Sequence, residues 1–218
     1  MTQPKTRAFD QPLGQTFSLM LFTRYPEPGR TKTRLIPHLG PEGAAALQRQ
    51  MTEYVLAQAQ TAASQLPLAV EVHFAGGSPS RMQAWLGDAV YQAQAGGGLG
   101  DRLKAAFSQA IALGRPGAIA IGSDCPTLGL DHLSAALAAL DRADVVLGPA
   151  TDGGYYLIGL RRLEPALFDA IDWGTDRVLS QTLAAATAQR LTVELLSPLN
   201  DIDRPEDLPQ WEALARSS

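Results

Sequence analysis

Short apolar runs alternate along this chain with amphipathic helical patterns, and most runs end in a loop rich in glycine, proline or charge. That alternation admits few folds, because strand, helix and next strand in succession build a parallel sheet with helices on its faces. The runs fall at residues 17–23, 68–74, 89–92, 118–121, 145–147, 155–160 and 192–195. Helical patterns fill residues 41–64, 80–86, 101–113, 131–140, 176–189 and 205–216. Pro41 suits a first helical turn, and Asp131 suits the positive end of its helix. The expected class is α/β with a largely parallel sheet. At 218 residues the length fits one domain. Residues 1–15 are polar, carry Pro4, Pro12 and Gly14, and read as a loose tail before a domain spanning 16–218.

Composition narrows the function classes. The net charge of -4 gives no general surface for nucleic acid. No apolar run approaches the roughly 20 residues that span a bilayer, and the start lacks the apolar middle of a secretory signal. Cys125 is the single cysteine, so no intrachain disulfide forms, which fits a reducing cytoplasm. With His38, His73 and His132 scattered, a zinc site is not expected.

Against the acidic background, residues 24–35 read Arg-Tyr-Pro-Glu-Pro-Gly-Arg-Thr-Lys-Thr-Arg-Leu, directly after the first strand. Arg24, Arg30, Lys32 and Arg34 are held there by two prolines and Gly29. Loops at the carboxyl edge of an α/β sheet are where ligands bind, and guanidinium forks match phosphate oxygens. The loop is neither a Walker loop nor a dinucleotide fingerprint. Residues 96–100, Gly-Gly-Gly-Leu-Gly, open the helix at 101–113; they read as a close backbone approach to a ligand or as a plain flexible connection.

Three further loops carry carboxylates. Asp124 stands just past a buried strand and is a natural Mg²⁺ ligand beside phosphates, or else an N-cap. Asp152-Gly153-Gly154-Tyr155 is a tight-turn signal, or a substrate contact with a tyrosine face for stacking. Asp201 and Asp203, at i and i+2 in an extended segment, project to one side and suit a divalent cation. Asp203 with Glu206 equally reads as an N-cap and N3 pair. Cys125 reads as a small structural residue.

Together Phe22-x-Arg24-x-Pro26-x-Pro28-Gly29-x-x-Lys32-Thr33-Arg34-Leu35, Gly98-x-x-Asp101-Arg102-Leu103, Gly122-Ser123-Asp124-x-Pro126 and Asp152-Gly153-Gly154-Tyr155 resemble the DUF2064 family. These are the radical-SAM/selenodomain-associated glycosyltransferase-like proteins of the nucleotide-diphospho-sugar transferase superfamily. The resemblance runs from about Phe17 to Asp203. It is similar, more distantly, to 2-phospholactate guanylyltransferases and molybdenum-cofactor nucleotidyltransferases. It implies a three-layer α/β/α fold with a mostly parallel mixed sheet, GT-A-like and Rossmann-like.

The resemblance also implies roles. Arg24, Gly29, Lys32 and Arg34 would lie on nucleotide phosphates, with Lys32, Arg34 and Asp124 catalytic. Gly98, Gly100 and Arg102 would lie near base or ribose. Asp124 and Asp203 would share Mg²⁺ or Mn²⁺, and Asp152, Gly153, Gly154 and Tyr155 would face the acceptor. The partners implied are a nucleoside triphosphate or nucleotide-sugar and a small-molecule acceptor, with neither nucleic acid nor membrane. The Gly-Gly-x-Gly-Thr-Arg loop of sugar-phosphate nucleotidyltransferases is absent, and Asp124 sits in Ser-Asp-Cys rather than Asp-x-Asp. The expected activity is metal-dependent nucleotidyl transfer with pyrophosphate release, the alternatives being glycosyl transfer or nucleotide binding without catalysis.

Overall fold

A computed structural model describes residues 16–217; the tail expected at 1–15 lies outside the described residues. Its frame is a seven-stranded sheet in the order β3-β2-β1-β4-β6-β5-β7. The strands are β1 (Phe17–Arg24), β2 (Leu68–Ala75), β3 (Val90–Ala93), β4 (Ala118–Gly122), β5 (Val145–Pro149), β6 (Tyr155–Leu160) and β7 (Val193–Leu195). Only β6 runs against its neighbours β4 and β5; the other pairings are parallel. The helices are α1 (Ile36–Ala63), α2 (Pro79–Leu86), α3 (Leu99–Ala112), α4 (Leu130–Leu140), α5 (Val178–Ala188) and α6 (Leu208–Ser217).

Strand alternation splits the core into two layers. Leu19 and Leu21 of β1 face one side, where Val55, Leu56 and Ala59 of α1, Met82 of α2 and Leu133 and Ala136 of α4 cover them. Met20 faces the other, against Leu103 and Phe107 of α3 and Ala186 of α5. A third cluster seats Leu208 and Trp211 of α6 on Leu47 and Met51 of α1, with Ile202 buried between them. The sheet is thus covered on both faces, as a mostly parallel sheet requires.

The predicted elements appear within a few residues of their expected places. The long helix is interrupted at Gly40, which takes φ 70 and ψ 167, so its regular part begins at Pro41. The last helical pattern splits into a 3₁₀ turn at Pro205–Asp207 followed by α6. Because β4 and β5 point the same way, the turn from β5 back into β6 lies at the carboxyl edge of the parallel strands. Among the described residues, no helix is long and apolar enough to cross a membrane.

Candidate active site

Two adjoining clefts open at that carboxyl edge. The first, about 450 Å³, is lined by Phe22, Arg24, Arg30, Lys32, Arg34, Gln48, Gln94, Arg102, Ser123, Asp124 and Asp203, among others. The second, about 380 Å³, is lined mainly by Thr151, Asp152, Gly174, Asp176, Asp201, Arg204 and Asp207. Arg34 and Asp203 belong to both.

The cationic loop is fixed before it reaches the first cleft. Tyr25 continues the β1–β2 pairing through its N–H to the Ala75 carbonyl at 2.9 Å. The Arg81 guanidinium of α2 lies 4.3 Å from the centre of the Tyr25 ring, and Trp85 meets that ring edge-on. Arg81 also pairs with Glu27, which in turn pairs with Arg30. Gly29 shapes the turn and is not part of the cleft lining.

The loop's four cations have different fates. Arg24 lines the cleft with no carboxylate partner among the described residues. Arg30 is exposed beside Glu27. Lys32 turns inward: its side chain is 3% exposed, and its Nζ lies 2.8 Å from Asp124 Oδ1 and 3.8 Å from Asp203 Oδ1. The same ammonium donates to the Ile202 carbonyl at 2.5 Å. Arg34 closes on Asp203 Oδ2 from the exposed side. A further bond, from Ile202 N–H to the Asp124 carbonyl at 2.8 Å, stitches the two acidic segments together.

Alternation explains how residues 201–203 serve both core and cleft. Ile202 is fully buried against α1 and α6, so Asp201 and Asp203 project together to the cleft side. Asp203 is not a helix cap. That work falls to Asp207, whose Oδ2 accepts the N–H groups of Asp203 at 3.0 Å and Arg204 at 2.7 Å. Burial raises the Asp201 carboxyl above the ordinary range, and the nearby anions Asp152, Asp203 and Asp124 push it the same way. Burial also pushes the Cys125 thiol upward, which removes it as a nucleophile.

Beneath the first cleft lies a buried polar floor. The Gln48 amide donates to Thr23 Oγ1 at 3.2 Å, Thr52 Oγ1 at 3.0 Å and Ser123 Oγ at 3.1 Å. At the far end Gln94 donates to the carbonyls of Thr23 and His73. Its own carbonyl accepts from Arg102 Nη1 at 3.4 Å, while Arg102 Nε bonds to the Gly97 carbonyl. Arg102 has no carboxylate partner among the described residues and lines the cleft. Sequence reasoning passed over Gln48 and Gln94. Gln48 did leave a signal: it interrupts the apolar stripe of Ala44, Met51 and Val55 on α1.

Three residues expected to contact ligand have other work. Gly98 caps α3, with its N–H on Asp101 Oδ2 at 3.1 Å, but Gly100 faces away from the cleft. A Cβ there would sit 2.5 Å from the Phe168 carbonyl and 2.6 Å from Trp173 Nε1, so the glycine permits close packing. Tyr155 lines neither cleft. Its ring packs edge-on against Trp173 beside the core of α3 and α5.

Asp152 does stand at the second cleft, and it also builds the turn there. Its Oδ1 accepts the Gly154 N–H at 2.8 Å, and Ala150 N–H bonds to the Gly154 carbonyl. Gly153 takes φ 90, and a Cβ would lie 2.2 Å from the Asp176 carbonyl, so no other residue lets the 172–176 loop close on this turn. Both readings of Asp152, tight turn and cleft wall, therefore describe its position.

The donor chemistry fits a hard divalent cation. Asp124 and Asp203 already converge on one positive charge, the Lys32 ammonium. Magnesium takes one or two carboxylates and completes its shell with phosphate oxygens and water. Among the described residues no group of three or more His, Cys, Asp and Glu is arranged to hold a metal unaided.

Comparison with known proteins places the chain in a family and a fold. The family described as "Uncharacterized protein conserved in bacteria (DUF2064)" matches residues 55–175. A candidate nucleotide-diphospho-sugar transferase from Desulfovibrio desulfuricans G20 is 35% identical, with a TM-score of 0.80 over 86% of this chain and 82% of that one. CMP:2-keto-3-deoxy-manno-octonic acid synthetase in complex with CTP shares the fold at 12% identity, with a TM-score of 0.58 over 93% and 99% of the chains. The manganese complex of Rv0371c from Mycobacterium tuberculosis H37Rv does so at 16% identity, with a TM-score of 0.51 over 90% and 97%. None of the curated proteins compared matches the chain. With more than half its length matched by the family, and with a relative of the same fold 35% identical over 86% of the chain, the chain belongs to the DUF2064 family and has the nucleotide-diphospho-sugar transferase fold.

Proposed function

We propose that this protein is a cytoplasmic, metal-dependent nucleotidyltransferase that joins a nucleoside triphosphate to a phosphorylated small molecule and releases pyrophosphate. The observation that carries this reading is the pairing of opposites in one cleft. Arg24 and Arg102 line it with no carboxylate partner among the described residues, opposite the Asp124–Asp203 pair. Unpaired guanidinium groups call for anions; converging carboxylates call for a cation. A nucleotide with its metal supplies both. A candidate nucleotide-diphospho-sugar transferase, a synthetase of this fold holding CTP and a further protein of this fold holding manganese support the assignment.

In this reading Arg24 and Arg102 hold the nucleotide, and Arg34 and Lys32 take charge from the departing pyrophosphate. A phosphate oxygen of the acceptor attacks the α-phosphorus. The bond to the bridging oxygen breaks, and its electron pair leaves with pyrophosphate. Asp124 and Asp203 would hold Mg²⁺ or Mn²⁺, which neutralises charge developing on the transferred group. The rest of the rate comes from positioning and preset charge. The second cleft, walled by the Asp152 turn, receives the acceptor, with Arg204 as its phosphate partner.

One observation favours a second reading. The second cleft carries Asp152, Asp176, Asp201, Asp203 and Asp207 against only Arg34 and Arg204. Such a wall suits an uncharged or cationic hydroxyl acceptor, as in glycosyl transfer from a nucleotide-sugar.

Thermal unfolding with a panel of nucleoside triphosphates and nucleotide-sugars, each with Mg²⁺, Mn²⁺ or EDTA, separates the two. A ligand at about 100 times its Kd adds about 2.7 kcal/mol, roughly 5–10 °C for a chain of this size. Stabilisation by one triphosphate, lost in EDTA and followed by pyrophosphate release with an acceptor, is the expected result. Stabilisation by a nucleotide-sugar alone moves the assignment to glycosyl transfer. No response to either overturns the nucleotide reading.

A further inference from the structure

Lys32 is buried where a metal-binding pair would need its ion. Its ammonium has three oxygens around it: the Ile202 carbonyl at 2.5 Å, Asp124 Oδ1 at 2.8 Å and Asp203 Oδ1 at 3.8 Å. The backbone that delivers it is left-handed, φ 46 and ψ 45, a conformation lysine seldom adopts. Without a cation between them the converging carboxylates Asp124 and Asp203 would repel one another. A dication and an ammonium cannot share Asp124 Oδ1 at close range, because their mutual repulsion is large in a partly dry site.

We propose that Lys32 is the resident cation of the Asp124–Asp203 pair and closes it to free divalent metal, so that metal enters only with a nucleotide whose phosphates give the ammonium a new partner. This rests on the reading of those carboxylates as the metal pair of a nucleotide site. The geometry supplies the means. Lys32 lines the first cleft beside Arg24 and Arg34, and its four-carbon stem lets the ammonium swing toward a phosphate without moving the strand ends. Metal and nucleotide then bind as one unit, and the protein does not idle with a bare metal ion in its site.

The test is Mn²⁺ titration of the full chain without nucleotide, read by loss of the free Mn²⁺ paramagnetic resonance signal. Lys32→Met is expected to bind Mn²⁺ at least about 10-fold more tightly than wild type, since a like charge next to the ion is removed. The double variant Lys32→Met/Asp124→Asn is expected to lose that gain. Equal affinity in wild type and Lys32→Met overturns the proposal. If far-UV circular dichroism shows Lys32→Met unfolded, the wild type decides. A saturable site tighter than about 100 µM, abolished by Asp124→Asn, overturns the proposal, and its absence supports it. Thermal shift with triphosphates is scored separately: failure there removes the nucleotide reading, whereas failure of the Mn²⁺ comparison removes only the role of Lys32.

Discussion

Two buried charge networks lie within this sheet, and they are built to opposite ends. One is Lys32 with Asp124 and Asp203 at the carboxyl edge. The other lies within the α3-side layer, where Glu71 accepts from Ser18 Oγ at 3.0 Å and is flanked by His73 at 3.5 Å and Arg115 at 3.9 Å. Burial works against the Glu71 charge, yet His73, Ser18 and Arg115 together hold its carboxyl below the ordinary range. At the edge the balance is reversed: Asp201 is pushed up by burial and by three neighbouring carboxylates. The interior network holds a permanent counter-charge, Arg115, within the fold. The edge network gathers several anions, and Arg24 and Arg102 line the same cleft without a carboxylate partner among the described residues. That difference, more than the mere presence of buried charge, favours the edge as the candidate ligand site.

Mutations can break this contrast, and the largest effect belongs to the edge. Asp124→Asn is expected to lower turnover about 100-fold or more while the far-UV circular dichroism stays unchanged. Retained turnover with normal metal dependence would take Asp124 out of the chemistry. Glu71→Gln should do the reverse, costing about 1–3 kcal/mol of stability by leaving Arg115 without its anion, with the nucleotide-induced thermal shift intact. Because the folded protein lowers the Glu71 pKa, its contribution is present at neutral pH and lost as pH falls through the carboxylate range. Wild type and Glu71→Gln melting temperatures should therefore converge in acid.

Smaller effects sharpen the comparison. Arg102→Ala should raise the nucleotide KM about 10-fold with little change in kcat, the loss of one charge-assisted contact. An unchanged KM would detach Gln94 and Arg102 from the nucleotide. Asp201→Asn should raise the melting temperature slightly at pH 7. Here the folded pKa is raised, so wild type is penalised as pH rises through the carboxylate range, and the variant, which never ionises, is spared. A variant no more stable than wild type at pH 7 would mean that the anionic crowding at the edge is relieved by solvent.

The order of elements could be read from the sequence because strand and helix periodicities differ and each loop was punctuated by glycine or proline. The direction of β6 could not be read from alternation alone, although Asp152-Gly153 marked the turn that reverses it. For the site, the loops named in advance do meet at one edge, since a parallel sheet brings its strand ends together. What stayed hidden was division of labour within a loop. Lys32 and Arg34 are two residues apart, yet one is buried and the other exposed. Gly98 and Gly100 likewise part ways, one capping α3 and the other packed under Phe168 and Trp173. The placements of Lys32, Arg34 and Gly100 depend on neighbours more than 60 residues distant in the chain, which local pattern does not register. The N-cap and N3 places fall to Arg204 and Asp207, each one position beyond the Asp203–Glu206 pair that pattern favoured.

The two clefts share only Arg34 and Asp203 among their lining residues. The first is otherwise built by the end of β1, the cationic loop, Gln48 of α1, the start of α3 and the loop after β4; the second by the β5–β6 turn, the 172–176 loop and residues 201–207. Such a layout separates inheritance from innovation. Substitutions around Asp152 and Asp176 can retune what is received on one side while leaving the other side's inventory of cations and hydroxyls untouched. Under the proposed reading, a lineage carrying this fold can explore new acceptors with its donor chemistry held constant, and the narrow joint at Arg34 and Asp203 is where any such exploration meets its limit.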